Sequence, residues 1–247
     1  MKVVADRALT SKERAQAKKQ LTRMLCLDDE TVADFHKVDP RWKKSGKARL
    51  VRSPTPFEDI IKTVTSCNVT WPSTVNMNKR LCEVVSLAFP HPRLLYRKRP
   101  ATLRARCSVG YRDQRIVDLA KLAVSGELDL EYLEDKSVSD DDIHAALLAL
   151  PGIGPYAAAN IMMLLGRYSR LAVDTETIRH GKTVLGMTGS DNAIRKKLES
   201  HYAPFGDHRF RSYWFEVWDF YESKQGPAHT WAPRAVVNAF TASNLNK

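Results

Sequence analysis

The chain has 247 residues, 43% of them hydrophobic and 27% charged, enough apolar material to bury a full core in one large or two closely packed lobes. No run of about 18 uncharged apolar residues occurs and the start of the chain lacks an apolar signal core, so neither a membrane-spanning nor a secreted protein is expected, and an intracellular one is. With 39 Lys and Arg against 28 Asp and Glu, the formal net charge of +11 favours a polyanionic partner.

Residues 11–27 suit a helix, with Ser11 as its cap and Leu21, Met24 and Leu25 as apolar anchors. The stretch DPRWKKSGKARLVRSPTP that follows at 39–56 holds too many turn formers and charges to continue it, and reads as a basic connector. The chain is therefore divided into an N-terminal helix with its connector, 1–51, and a main domain, 52–247. Basic residues cluster at 41–52 and again at 93–106, RLLYRKRPATLRAR; an anion-binding surface and plain solvated surface are the two readings of such clusters.

From Pro56 the helical period resumes, with Phe57, Ile60, Ile61 and Val64 on one face and the proline in a tolerated first-turn position. A second helix is expected over 72–89, after a tight turn from Asn68 to Trp71. Residues 110–126 place Ile116, Leu119, Ala120 and Ala123 on one stripe that Gly126 stops. The segment SVSDDDIHAALLAL at 137–150 has a serine cap, three acids in the first turn and an apolar run, a strong helix start. Short helix-like patterns follow at 156–166, 175–186, 191–202 and 207–223. No period-two alternation lasts long enough for a sizeable sheet, and no internal repeat is present.

Between two of these patterns lies LPGIGPYAAANI, residues 150–161, and shortly afterwards LAVDTETIRH, residues 171–180. A turn holding Gly152 and Gly154, with a helix starting at Pro155, leaves backbone amides pointing outward beside a helix N-terminus, a place that suits a phosphate. A plain glycine-rich bend is the alternative. Asp174 is placed to cap the helix that begins at Thr175. Four scattered cysteines, Cys26, Cys67, Cys82 and Cys107, form no CxxC pair, no zinc ribbon and no compact four-cysteine cluster, and read as buried thiols.

The hairpin and the AVDTETIR segment resemble the helix-hairpin-helix DNA glycosylase superfamily, in which LPG-x-G is followed about twenty residues later by an essential Asp. Residues 65–85 and VGYRDQRIVDLAK (109–121) are similar to segments of the 8-oxoguanine branch; alkyladenine glycosylases share the general pattern. The resemblance implies a mostly α-helical fold of two closely packed lobes, with the active-site cleft between them and little or no sheet. It implies a hairpin at 143–166, an Asp loop at 171–180, and double-stranded DNA with a damaged or mismatched base as partner.

By the same resemblance Asp174 is catalytic, and Gly152, Ile153, Gly154 and Tyr156 hold the DNA backbone. Asn68 is the wedge filling the hole left by an extruded base, Tyr111 presses into the stack, and Arg112 contacts the base left behind. Taken from the residues alone, Asn68 is a turn former and Tyr111-Arg112 an ordinary helix start. Trp71, Tyr156, Asn160, Phe205 and Trp214 are the candidates for the base pocket, with ordinary core packing as the alternative for the aromatic ones.

Superfamily members that also cut the backbone carry a hairpin lysine which forms an imine with the sugar. That position is Tyr156 here, which implies a monofunctional enzyme unless another amine such as Lys182 takes the role. No redox cofactor and no catalytic metal is expected, though a monovalent cation on the hairpin carbonyls is compatible with the resemblance. A monomer in the nucleus or the bacterial cytoplasm is expected. The rival from another class is a helix-hairpin-helix module that binds DNA without chemistry and has no need of Asp174.

Overall fold

The computed structural model describes residues 4–231, and among these there are helices and no strand. Helix α1 (Ser11–Met24) is opened by Thr10, not Ser11: the Thr10 hydroxyl accepts the Glu13 amide, and the Glu13 carboxylate closes back on the Thr10 amide at 2.8 Å. A short α2 (Val32–Val38) follows. Next come α3 (Pro56–Ser66) and α4 (Trp71–Val85), each with proline in its first turn. Helix α4 ends before the expected 89, because Ser86 swings to extended backbone ahead of Pro90 and Pro92.

The chain continues through α5 (Pro92–Leu95), α6 (Pro100–Cys107) and α7 (Asp113–Ser125), the last stopped by left-handed Gly126 at φ +89°. Then come α8 (Leu130–Glu134), α9 (Asp140–Leu148, capped by Ser139), α10 (Pro155–Leu164), α11 (Thr175–Thr183), α12 (Asp191–Tyr202) and α13 (Arg209–Gln225). None of the described helices is long and apolar enough to cross a membrane.

Two cores account for the architecture. One gathers Phe57, Ile60, Ile61 and Val64 of α3 with Leu81, Leu103, Ile116, Leu119, Ile143 and Leu147. The other is built on Ile178, Ile194, Leu198, Phe210, Tyr213 and Phe215. Helix α10 serves both: Ala157, Ala158, Ile161 and Met162 belong to the first core, while Ala159 and Met163 belong to the second. This is why PYAAANIMML is apolar all round, as a helix with core on both sides must be.

The two ends of α10 differ. At its C-terminus the Lys136 ammonium donates to the Leu165 carbonyl at 2.7 Å and Arg52 donates to that of Leu164 at 3.3 Å, cations placed where the helix carbonyls and dipole favour them. At its N-terminus no side chain caps it.

The basic stretch 41–52 is bound into the second lobe. Phe35, Trp42, Ala48 and Leu50 are buried in the second core. Arg41 pairs with Asp39 and with Glu216 of α13, and Lys47 pairs with Glu222 at 2.7 Å. Those two charges are matched by acids of the same lobe. The cluster at 93–106 stays open: Arg93, Arg97, Arg99, Arg104 and Arg106 are all exposed.

Candidate active site

The hairpin is made by α9 and α10. Gly152 sits at φ +79°, the left-handed region that glycine enters at no cost. The Ile153 amide then closes the turn on the Leu150 carbonyl at 3.2 Å, and its side chain is buried in the first core. Ile153 is therefore a structural member of the bend, and its amide is engaged within the protein. Gly154 is exposed, with open space where a β-carbon would stand. The outward side of the bend is Gly154 and the uncapped first turn of α10.

Asp174 is the N-cap of α11. Its Oδ1 accepts the Thr177 amide at 2.8 Å and the Thr177 hydroxyl at 2.9 Å, and its own amide donates to that hydroxyl at 3.2 Å. The phenol of Tyr213 lies 2.9 Å from the same hydroxyl, so the cap is braced from the core. The Glu176 amide adds a further hydrogen bond to the carboxylate. Burial raises the carboxyl above the usual aspartate range despite the bonds from Thr177, and the Glu176 charge nearby adds to the rise.

That carboxylate opens into a narrow cavity of about 90 Å³. Tyr156 and Asn160 of α10 form one wall and Glu176 of α11 lies beside Asp174. The opposite wall is one face of α13: Phe210, Tyr213, Trp214, Trp218 and Tyr221. Phe210 and Trp214 are nearly parallel, 5.9 Å between centroids. Asn160 donates its amide to Thr63 at 3.0 Å, which leaves its carbonyl oxygen without a donor among the described residues. Glu176 is held by Arg179 and by the Tyr221 hydroxyl at 2.6 Å. The cavity combines planar apolar faces with a small number of placed polar groups, as pockets for flat heterocycles do.

The structure thus brings Asp174, Tyr156, Asn160 and Trp214 together and leaves two expected pocket residues outside. Trp71 begins α4 and is 45% exposed at the other lobe's turn. Phe205 packs against Tyr202 and under the Arg41 guanidinium in the second core. Phe210, Tyr213, Trp218 and Tyr221 were not anticipated. Their signal was present in RFRSYWFEVWDFYES, where aromatics recur at helical spacing. Lys182 pairs with Asp191 at 2.7 Å and does not line the cavity.

A second group forms around the α3–α4 turn. Asn68 is exposed there with φ +54°, a left-handed conformation that asparagine tolerates better than most residues. Tyr111 is 51% exposed. Arg112, expected to reach outward, is buried: its guanidinium donates to the carbonyls of Val64, at 3.1 Å, and Cys67, satisfying the C-terminal end of α3. Buried against those carbonyls, it is not available to a partner outside the fold. Arg115, one helical turn on, sits 5.0 Å from the Tyr111 ring centroid and packs against Gly152 of the hairpin. Among the described residues no three His, Cys, Asp or Glu side chains gather where they could hold a metal ion.

No family model matches the chain, and no curated protein matches it. Solved structures do. The apo 8-oxoguanine glycosylase/lyase of Clostridium acetobutylicum is similar with a TM-score of 0.66 at 22% identity, over 85% of this chain and 76% of that one. The 3-methyladenine DNA glycosylase of Archaeoglobus fulgidus gives 0.63 at 17% identity over 86% and 77%. A 3-methyladenine DNA glycosylase of Schizosaccharomyces pombe, solved in complex with abasic DNA, gives 0.60 at 20% identity over 87% and 100%. This chain has the all-helical fold of the helix-hairpin-helix DNA glycosylases.

Proposed function

We propose that this chain is a DNA glycosylase that everts a damaged or mismatched base from a duplex and hydrolyses its N-glycosidic bond. The observation that carries the reading is the shared cavity: Asp174 lines it together with aromatic faces of α13 and the helix that begins at the hairpin. A backbone phosphate held by the outward amides of the bend would bring its deoxyribose over that carboxylate.

In the proposed reaction the bond from C1′ to the base breaks with its electron pair leaving on the base. Positive charge builds on the sugar, and the Asp174 carboxylate stabilises it. Water then adds to C1′ and gives its proton to the carboxylate or to solvent, while the departing base takes up a proton. An abasic site remains. Trp214 and Phe210 supply stacking for the everted base, and the Asn160 carbonyl supplies one polar contact. Asn68 and Tyr111, exposed on neighbouring turns, fill the space the base vacates.

The reading includes the absence of a strong lyase step. Tyr156 occupies the position of the imine-forming lysine, and its phenol, raised by burial and by the Asp174 charge, stays protonated. A monovalent cation would fit the hairpin, where the Gly152 and Ile153 carbonyls accept no bond from the described backbone. The protein acts as a monomer where the genome is, in a nucleus or a bacterial nucleoid. The test is a panel of duplexes, each with one lesion (8-oxoguanine, an alkylpurine, uracil or a thymine mismatch), treated with protein and then hot alkali. Alkali-dependent strand breaks at one lesion, with no borohydride-trapped adduct, are expected. No break with any lesion would favour a DNA-binding module without chemistry.

A further inference from the structure

A second cavity, of about 620 Å³, lies on the other side of Tyr156 from the Asp174 pocket, between the hairpin, the segment leading to Asp174, α12 and the start of α13. Tyr156 lines both cavities. Three guanidiniums, Arg170, Arg195 and Arg209, face this one, against a single carboxylate, Glu199. His144 also lines it. Burial and the nearby Arg170 charge lower that imidazole below its usual range, so it is neutral at pH 7 and the positive charge comes from the arginines.

These arginines are underused. Arg195 makes only a 3.4 Å contact to the Val173 carbonyl, and Arg209 donates only Nε, to Gly206. Neither pairs with a carboxylate among the described residues. Arg170 engages the exposed Asp141 through one terminal nitrogen, while its Nε is buried with no acceptor. Arg41 and Lys47 of the same lobe are, by contrast, matched by acids of α13. Two guanidiniums without a carboxylate partner and a third paired through one nitrogen, around one concavity, suit a tetrahedral oxyanion, which accepts their forked donors.

We propose that this arginine-lined cavity holds a phosphodiester of the DNA strand that carries the target nucleotide, adjacent to the phosphate held by the hairpin. The strand then crosses Tyr156, with the everted nucleotide on the Asp174 side and its neighbour's phosphate among Arg170, Arg195 and Arg209. This rests on the reading of the chain as a DNA-binding glycosylase, and it adds a strand-holding site that neither the hairpin nor Asp174 supplies.

The test uses full-length protein and an Arg195→Gln/Arg209→Gln variant, with duplex binding followed by fluorescence anisotropy over a series of KCl concentrations. Neither side chain is central to a core, and circular dichroism and melting confirm that the variant folds. The expected result is a salt slope smaller by about one for each phosphate that the variant no longer neutralises. Affinity should fall roughly tenfold at fixed salt, and Arg195→Lys/Arg209→Lys should restore part of the slope.

A walk of single neutral methylphosphonates along the strand identifies the source of the anion. One position should weaken the unmutated protein and leave the double variant indifferent. An unchanged slope, or no such position, would overturn the proposal. Binding of inorganic phosphate that the variant loses, with no sensitive strand position, would assign the cavity to a free anion instead and also overturn it. The binding arms do not require base release: a changed slope without release from any lesion sinks the enzymatic reading alone, and release with an unchanged slope sinks this site alone.

Discussion

The side chain of Arg115 lies across Gly152, so that a β-carbon on the glycine would stand 2.8 Å from the arginine Nε and closer still to its Cδ. The hairpin bend and the turn carrying Tyr111 are joined through this packing. Gly152→Ala should strain the left-handed backbone, costing about 1 kcal/mol of stability, and push Arg115 off the bend. Arg115→Gln and Gly152→Ala should each weaken duplex binding roughly fivefold, about 1 kcal/mol. The double variant should lose distinctly less than the product of the two, because both remove the same arrangement. Anisotropy titrations on the four proteins check this, and strict additivity would dissociate the two residues.

Asp174→Asn should abolish base release by at least about 100-fold while duplex affinity changes little, since the amide keeps the cap but loses the charge. The same substitution should stabilise the fold at neutral pH. The folded carboxyl is raised above its ordinary 3.8, so between that value and its folded one the native state holds the proton more tightly than the unfolded chain. Stability therefore falls as pH rises through that window. The melting temperature of the Asn variant should exceed that of the unmutated protein at pH 7, and the gap should close towards pH 3.5. A constant gap would show that the carboxylate is not desolvated.

Glu216 behaves in the opposite sense. Burial alone would raise its carboxyl, but bonds from His180, Arg41 and Tyr202 outweigh it and hold the group down at about 2, against 4.5 ordinarily. Its stabilisation is complete above 4.5 and is lost as pH falls towards 2. Glu216→Gln should cost on the order of 2–3 kcal/mol at pH 7, read from urea melts, and progressively less as pH falls below 4.5.

Arg112→Ala should destabilise the protein by about 2–4 kcal/mol, because the carbonyls of Val64 and Cys67 lose their donors in a buried place. Arg112→Lys should recover little, having no fork to reach both. A variant that melts normally yet has lost discrimination for the base opposite the lesion would restore the outward role expected from the Gly-Tyr-Arg segment.

The hairpin and the Asp174 cap were legible because their signals are local: a bend that needs glycine at φ +79° and a helix that needs an acceptor at its start. The stripe formed by Phe210, Trp214, Trp218 and Tyr221 was visible as a period. Its membership in the pocket depends on α13 lying opposite α10 and α11, a relation between distant parts of the chain. Trp71 and Trp214 are the same residue type in similar company, and only packing separates an exposed helix start from a cavity wall. Arg112 lies in the turn ahead of α7 and reaches the carbonyls at the end of α3, whereas Arg115, in the first turn of α7, lies against the hairpin. The charges of Arg41 and Lys47 could not be assigned without their partners in α13, far along the sequence.

A single helix, α10, is shared by both hydrophobic cores. Parting the lobes would peel one of its faces from close-packed neighbours, so the molecule has no inexpensive way to gape around a double helix. In the proposed reaction the compliance must come from the nucleic acid, which has to bend and unstack to meet a rigid mould. Sites next to flexible pyrimidine–purine steps, or already loosened by mispairing, should then be engaged more readily than the same lesion in a stiff tract.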